Sequence, residues 1–134
     1  MDTLKPSARS ERMRRIQSKD TKPELVVRRV LHSCGYRFRL GGSGLPGRPD
    51  IVLPGRRVVI FVHGCFWHRH KCRAGCSVPK TRTSFWLRKF SDNRRRDQRV
   101  RRQLYRSGWR SIVVWECQVR DLERLSTRLR QFLR

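Results

Sequence analysis

The segment VHGCFWHRHKC, residues 62–72, concentrates side chains that bind metals and move protons. Thiolate and imidazole are the ligands that structural zinc prefers, usually four of them in a tetrahedron. Cys65, His70 and Cys72 offer three ligands within eight residues. Cys117, at the end of the apolar run IVVWEC, supplies the fourth if that run lies beside the strand before the segment. We therefore predict a structural Cys3His zinc site, closed by protein ligands and without a position for chemistry.

Two alternatives to this ligand set stay open. Cys76 competes for the fourth position, since it lies only four residues beyond Cys72. The cysteines are otherwise ordinary buried or unpaired thiols, because Cys34 and Cys76 show that the chain carries cysteines with no evident task.

A hydrolytic centre is expected where an isolated acid meets the remaining histidines. Asp50 opens the short apolar run DIVLP, and the run IFVH delivers His63 across from it, with His68 in the loop beyond. A carboxylate beside imidazoles in a positively charged surround suits Mg²⁺ and an attacking water. Glu24 would join this group from its helix, although a capping-box position explains it equally well.

Three aromatic residues in basic surroundings have two interpretations. Phe66 and Trp67 lie between the predicted zinc ligands, and Trp86 follows in the segment TSFW. Exposed aromatics beside a DNA-facing surface wedge or stack between bases. The alternative is that they pack beneath the metal loop.

Hydrophobic periodicity predicts the elements that position these residues. Helices are expected at 6–18, from Thr21 to Gly35, from 83 to the Gly108 turn, and at 121–133; strands are expected at 36–40, 50–54, 57–62 and 109–116. The run 57–62 is apolar on both faces, as in a central strand. We predict a single α/β domain, a mixed central sheet flanked by helices, with a basic N-terminal helical arm at 1–20 before the main domain at 21–134.

The charge of the chain points to its partner. Its 134 residues carry a formal net charge of +24, with 34 Lys and Arg against 10 Asp and Glu. Such an excess favours a polyanion, and nucleic acid is the default. The sequence contains no apolar run of membrane-spanning length and no secretory signal, so a cytoplasmic protein without a membrane partner is expected. The lack of an obvious apolar interface helix favours a monomer.

Four blocks resemble the very-short-patch-repair (Vsr) DNA mismatch endonucleases: LPGRPDIVLP, VVIFVHGCFWHRHKC, VPKTRTSFWLRK and GWRSIVVWEC. They occur in the family's order, and the likeness extends over nearly the whole chain from RSERMRRI onward. The resemblance implies a restriction-endonuclease-like fold, with residues 21–134 as the nuclease domain. It also implies a Mg²⁺-dependent nick in one strand of double-stranded DNA, 5′ of the T in a T·G mismatch formed by deamination of 5-methylcytosine. Mismatch-repair proteins are candidate partners.

The resemblance also implies roles for residues of the hydrolytic centre. Asp50 matches the metal-binding aspartate, and Val62 matches a position whose main-chain carbonyl helps to hold the metal. His68 matches the general base, His63 a contact to the scissile phosphate, and Glu24 an acid that orients metal-bound water. The best-studied members have threonine in place of Val62, an exchange that a carbonyl ligand tolerates.

Further roles concern the metal loop and the DNA. The residues that match the structural zinc ligands are Cys65, His70, Cys72 and Cys117. Those that match aromatics entering the base stack beside the mismatch are Phe66, Trp67 and Trp86. Met13 matches a position on an N-terminal helix that braces the DNA from the other groove.

Two other functions are compatible with the same residues. A restriction-type nuclease acting on unmodified or differently damaged DNA would use the same active site. A zinc-stabilised nucleic-acid-binding protein without catalysis would explain the charge and the cysteines, but it would leave the grouping of Asp50, His63 and His68 without a purpose.

Overall fold

The architecture comes from a computed structural model that describes residues 21–42, 44–65, 72 and 78–134. The helix expected at 6–18, and with it the N-terminal arm, lies outside the described residues.

A four-stranded mixed sheet forms the centre of the described part of the molecule. The strands lie in chain order, β1 (Arg39–Leu40), β2 (Ile51–Leu53), β3 (Val58–His63) and β4 (Arg110–Trp115). The β1–β2 and β2–β3 pairs are antiparallel, and β3–β4 is parallel. The central position of β3 confirms the interpretation of its two-sided apolar run.

In the described residues, three α-helices cover the two faces of this sheet: α1 (Lys22–Ser33), α2 (Thr83–Arg106) and α3 (Leu122–Leu133). Short 3-10 helices span Pro54–Arg56 and Glu116–Arg120. α1 and α3 share one core with alternate residues of the strands, while Leu104 of α2 packs in a second core with Val59 and Val113. α2 therefore lies on the opposite face of the sheet from α1 and α3. The α/β class and the single mixed-sheet domain are confirmed.

The beginning and end of α1 follow the signals in its sequence. Thr21 caps the helix, with its Oγ1 accepting the Glu24 N–H at 3.4 Å. Pro23 lies in the first turn, where a missing N–H costs nothing. The chain leaves the helix at Gly35, whose φ of 83° belongs to the left-handed region that glycine adopts without strain. These local signals place Glu24 in the first turn of the helix, and its buried side chain faces the sheet.

Two segments differ from the sequence prediction. The strand expected at 36–40 pairs only at Arg39–Leu40, opposite Val52 and Ile51 of β2, which ends at Leu53. Tyr36 and Phe38 still pack against the core. The chain also turns into the 3-10 helix Glu116–Arg120 directly after β4, which periodicity did not reveal. Among the described helices, none has the length and hydropathy needed to cross a bilayer.

Candidate active site and metal centre

Asp50 lies immediately before β2, where the sheet opens. Its Oδ2 accepts the main-chain N–H of Val62, on the neighbouring strand β3, at 2.7 Å. Its own carbonyl accepts the N–H of Gly41 at 3.1 Å. A side chain that bonds the backbone of the next strand has little freedom to rotate. The Asp50 carboxylate is thus held at one end of the sheet.

The same strand register leaves the Val62 carbonyl facing a proline. Ile51 pairs with Ile60, so two steps further Val62 lies opposite Pro49. In an antiparallel ladder the N–H and C=O of one residue point towards the same neighbour. The Val62 N–H points to Asp50, so its carbonyl points to the same side, and Pro49 has no N–H to offer it. A main-chain oxygen and a carboxylate therefore converge at this point.

Glu24 reaches this group from α1. It is only 2% exposed and forms an ion pair with Arg28, one turn further along the helix, whose side chain is 18% exposed. It also faces Asp50 closely enough for a side-chain hydrogen bond between the two carboxyl groups. The buried location favours the functional reading of Glu24 beside its place in the capped first turn. Arg28 was missed from the sequence, although its spacing of four residues from an acid was a usable signal.

The environment of Asp50 raises its pKa from an ordinary 3.8 to about 7. Removal from water is the main cause, and the negative charge and hydrogen bond of Glu24 act in the same direction. The Val62 N–H and the charge of Arg28 oppose the shift. A buried and a half-buried carboxyl group side by side are a favourable site for a divalent cation, because a cation between them offsets their repulsion.

This raised pKa predicts a pH dependence of stability in the metal-free protein. The folded form binds the Asp50 proton more tightly than the unfolded chain, so losing it between about pH 4 and pH 7 lowers the free energy of unfolding. Asp50→Asn stays neutral and escapes this loss. We expect the stability of the variant relative to wild type to rise across that window and then level off, as measured by denaturant unfolding in EDTA. A difference that is flat or falls with pH would contradict the assignment.

His63 ends β3, directly after Val62. It is 8% exposed, and its ring packs edge-on against Trp115 of β4 at 5.3 Å between centroids and lies 5.8 Å from the Phe61 ring. By strand alternation its side chain starts on the α2 face of the sheet, with Phe61. The structure thus brings Asp50, Glu24 and Val62 together and sets His63 one residue further along the strand. His68 lies outside the described residues.

The loop before β2 folds tightly onto the chain next to Asp50. Gly42 is buried, and a Cβ added there would lie 2.3 Å from Pro49 Cδ and 2.9 Å from Pro49 N. The proline ring is rigid and its nitrogen is main chain, so neither can give way cheaply. Gly42 was a second residue missed from the sequence, where it is one glycine of several in GGSGLPG.

We expect Gly42→Ala to displace the Pro49–Asp50 unit, because an extra methyl in a filled space forces the backbone to shift, at a cost of about 1–3 kcal/mol. Nicking should fall more than stability accounts for, since the Asp50 carboxylate moves with its backbone. Single-turnover nicking and thermal unfolding measured on the same sample check this. Gly55→Ala is the control, because a Cβ at Gly55 meets nothing within 4 Å; equal effects of the two changes would refute it.

Three thiols form a separate cluster at the adjoining strand ends. The Sγ atoms of Cys65, Cys72 and Cys117 all lie within 4.8 Å of one another. Cys65 lies two residues beyond the end of β3, and Cys117 lies in the 3-10 helix after β4, so the parallel β3–β4 pair brings them together as the sequence predicted. Four sulfurs around zinc at ~2.3 Å lie about 3.8 Å apart, so this cluster fits a tetrahedral metal.

The chemistry of the Cys65 thiol also fits a metal ligand. Burial raises its pKa to about 12, and the neighbouring Cys72 and Cys117 thiols add to the effect. The Cys117 N–H donates to Cys65 Sγ at 3.4 Å, and this hydrogen bond opposes the rise in the Cys65 pKa. A metal held by this cluster would favour the thiolate form of its ligands, and the Cys117 N–H would support the Cys65 thiolate.

The aromatic Trp86 lies in the first turn of α2. Its ring is half-buried and contacts Phe85 at 5.5 Å and Phe90 at 6.0 Å between centroids. Phe85 itself is 46% exposed and lies under the Arg82 guanidinium. Aromatic surface next to cationic groups is therefore present at this end of α2. The other residues predicted to contact DNA, to bind zinc or to act as the general base lie outside the described residues: Met13, Phe66, Trp67, His68, His70 and Cys76, the alternative zinc ligand.

Comparison with known proteins identifies the chain. The model of the DNA mismatch endonuclease Vsr family matches residues 1–74. A type II nicking enzyme, V.XorIIP of Xanthomonas oryzae pv. oryzae, is 53% identical over 98% of this chain and 96% of its own length. The DNA mismatch endonuclease Vsr of Escherichia coli K12 is 45% identical over 93% of this chain and 80% of its own length. The type II nicking enzyme V.NmeAIP of Neisseria meningitidis is 41% identical over 99% and 94%.

The mixed sheet with an acidic residue at the start of its second strand, together with these relatives, defines a DNA endonuclease of restriction-endonuclease-like fold. More narrowly, the chain belongs to the Vsr family of DNA mismatch endonucleases.

Proposed function

We propose that this protein is a Mg²⁺-dependent endonuclease that nicks one strand of duplex DNA 5′ of the T in a T·G mismatch. The observation that carries the proposal is the convergence of the Asp50 carboxylate, the Glu24 carboxylate and the Val62 carbonyl at one end of the sheet. Oxygen atoms of this kind are the ligands of Mg²⁺. The name of the E. coli relative, a DNA mismatch endonuclease, supports the choice of substrate.

Each residue of the centre has a distinct part in the proposed reaction. Asp50 and the Val62 carbonyl hold Mg²⁺, and Glu24, kept in place by Arg28, orients the attacking water. His68 accepts the proton of that water, and His63 contacts the scissile phosphate. A cation held there would lower the pKa of a coordinated water and offset the charge that develops on the phosphate. Cys65, Cys72, Cys117 and His70 would hold zinc, which would stabilise the fold without taking part in the reaction.

Mismatch selection is assigned to the aromatic residues and the N-terminal arm. Phe66, Trp67 and Trp86 enter the base stack, and Met13 in the arm, residues 1–20, braces the duplex from the other groove. A mispaired step costs less to unstack than a matched one, so distortion of the DNA contributes to the preference for T·G. Residues 21–134 supply the nuclease domain, and one chain acts alone.

The experiment uses one end-labelled duplex with T·G, T·A or another mismatch at a single position, incubated with Mg²⁺ or EDTA. We expect a single cut 5′ of the T in the T·G duplex, with Mg²⁺ only. Equal cutting of all duplexes would favour the restriction-type nuclease. The relatives named as type II nicking enzymes are the reason to test for this outcome. Binding without any cut would favour a non-catalytic DNA-binding protein.

A further inference from the structure

The 24-residue helix α2 carries an arginine column on its outer side. The residues that face inward recur at helical spacing, and they are half-buried or buried: Trp86, Phe90, Asn93, Asp97, Val100 and Leu104. At 100° per residue, the positions within about 40° of the side opposite this stripe are 84, 88, 91, 95, 99, 102 and 106. Ser84 and Ser91 occupy two of them, and exposed arginines occupy the other five: Arg88, Arg95, Arg99, Arg102 and Arg106. We call these five residues the arginine column.

The column is not stabilised as a helix surface normally is. Arg95, Arg99, Arg102 and Arg106 follow one another at spacings of three or four residues, where like charges repel. An ordinary solvated helix face alternates acids with bases at these spacings. Within the described part of the chain, the recorded ion pairs do not include any column arginine. The arrangement therefore works against the free protein and is explained if a polyanion covers it.

The position of the column separates it from the catalytic carboxylates. Glu24 belongs to α1, on one face of the sheet, whereas α2 packs on the other face through Val100 and Leu104. The column is on the side of α2 turned away from the sheet. From residue 88 to residue 106 it extends about 27 Å along the helix, the length of about eight base pairs.

We propose that the arginine column is a second DNA-binding surface, which holds the phosphate backbone of duplex DNA independently of its sequence and apart from the catalytic site. Guanidinium groups bind phosphate oxygens in pairs, which favours arginine over lysine in this role. The column lies outside the mismatch site and carries no information about bases. Its occupant is a flank of the substrate duplex bent around the protein or a second segment of duplex. The inference rests on membership of a DNA-endonuclease family and not on the T·G specificity proposed above.

The test compares two triple variants that lose the same charge. The column variant is Arg95→Gln, Arg99→Gln and Arg102→Gln; the control is Arg120→Gln, Arg124→Gln and Arg134→Gln, three exposed arginines outside α2. Affinity for a long matched duplex is measured at a series of salt concentrations. Each phosphate contact adds about 0.9 to the slope of log affinity against log salt, so the column variant should lose about 2–3 from the slope, and the control much less.

Two further readouts separate this role from folding and from catalysis. Without DNA, the column variant should unfold at the wild-type temperature or above it, because its repelling pairs are gone. At saturating enzyme, it should cut whichever substrate the wild type cuts at the wild-type single-turnover rate. Equal slope changes in the two triple variants, or loss of single-turnover cutting in the column variant, would overturn the proposal.

The source of the bound duplex is distinguished by a capture assay. Wild-type protein is loaded on an immobilised mismatch duplex, and a labelled, matched duplex is added. If wild type and the control capture the labelled duplex and the column variant does not, the occupant of the column is a second segment of duplex. A slope difference that appears on a long duplex and disappears on one of about ten base pairs, without capture, identifies the flank of the substrate. If the column variant captures as well as wild type and matches the control in slope, the surface does not bind DNA.

Discussion

Replacing Asp50 by alanine is expected to lower single-turnover nicking of a T·G duplex by about a thousandfold or more, a loss of ~4 kcal/mol in the transition state. The carboxylate is held on the Val62 N–H beside Glu24, and no other described acid lies in that position. Without it the cation loses its main protein ligand. DNA binding should be unchanged or tighter, because a negative charge facing the phosphates is removed.

The matched control for this change is Asp92→Ala. Asp92 is an exposed acid on α2, so its removal changes the net charge equally without touching the carboxylate pair. Asp92→Ala should nick at the wild-type rate. Nicking and binding are measured on the same labelled duplex, in Mg²⁺ for the rate and in EDTA for affinity. If Asp50→Ala retains the rate of Asp92→Ala, Asp50 is not the metal-holding residue.

Replacing Cys72 by serine should lower the stability of the fold without removing a residue of the catalytic centre. Cys72 Sγ lies with Cys65 and Cys117 in the thiol cluster, and binding of metal to such a cluster contributes directly to folding. Losing one ligand should remove the bound zinc and lower the free energy of unfolding by ~3 kcal/mol, which lowers the melting temperature on the order of 10 °C. Zinc content per chain and thermal unfolding are the two measurements.

Cys34→Ser is the control for the loss of a thiol. Cys34 contacts Arg130 and Ser126 at the end of α1, away from the cluster. The Arg130 hydrogen bond lowers the Cys34 pKa, and no metal-binding partner is expected there. Cys34→Ser should keep the wild-type zinc content. If Cys72→Ser retains zinc and has the same melting temperature as Cys34→Ser, the three thiols are an ordinary buried group and not a metal site.

The sequence was sufficient where local signals and apolar patterns act together. Thr21, Pro23 and Gly35 mark the limits of α1, and the two-sided apolar run of β3 indicates its central place. The meeting of Cys65 with Cys117 followed from the expectation that their strands are neighbours, which the parallel β3–β4 pair confirms.

Other features depend on contacts between distant segments and have no local signature. The burial of Glu24 against Asp50 requires α1 to pack on β2 in one particular register. Helical periodicity predicts which side of α1 is buried, but not which residues of the sheet that side contacts. The fit of Gly42 against Pro49 depends on the path of a loop. The run 36–40 alternates over five residues but pairs with β2 only at Arg39–Leu40, and alternation within a run does not give the extent of its pairing.

Metal binding shows most directly whether Asp50 holds the catalytic cation against DNA. Mn²⁺, which takes the same oxygen ligands as Mg²⁺ and is visible by electron paramagnetic resonance, is titrated into the protein bound to a T·G duplex with a non-hydrolysable linkage at the nick. We expect Asp50→Asn to weaken Mn²⁺ binding by about tenfold to a hundredfold, while Asp92→Asn leaves it at the wild-type value. Wild-type Mn²⁺ affinity in Asp50→Asn would contradict this role of Asp50.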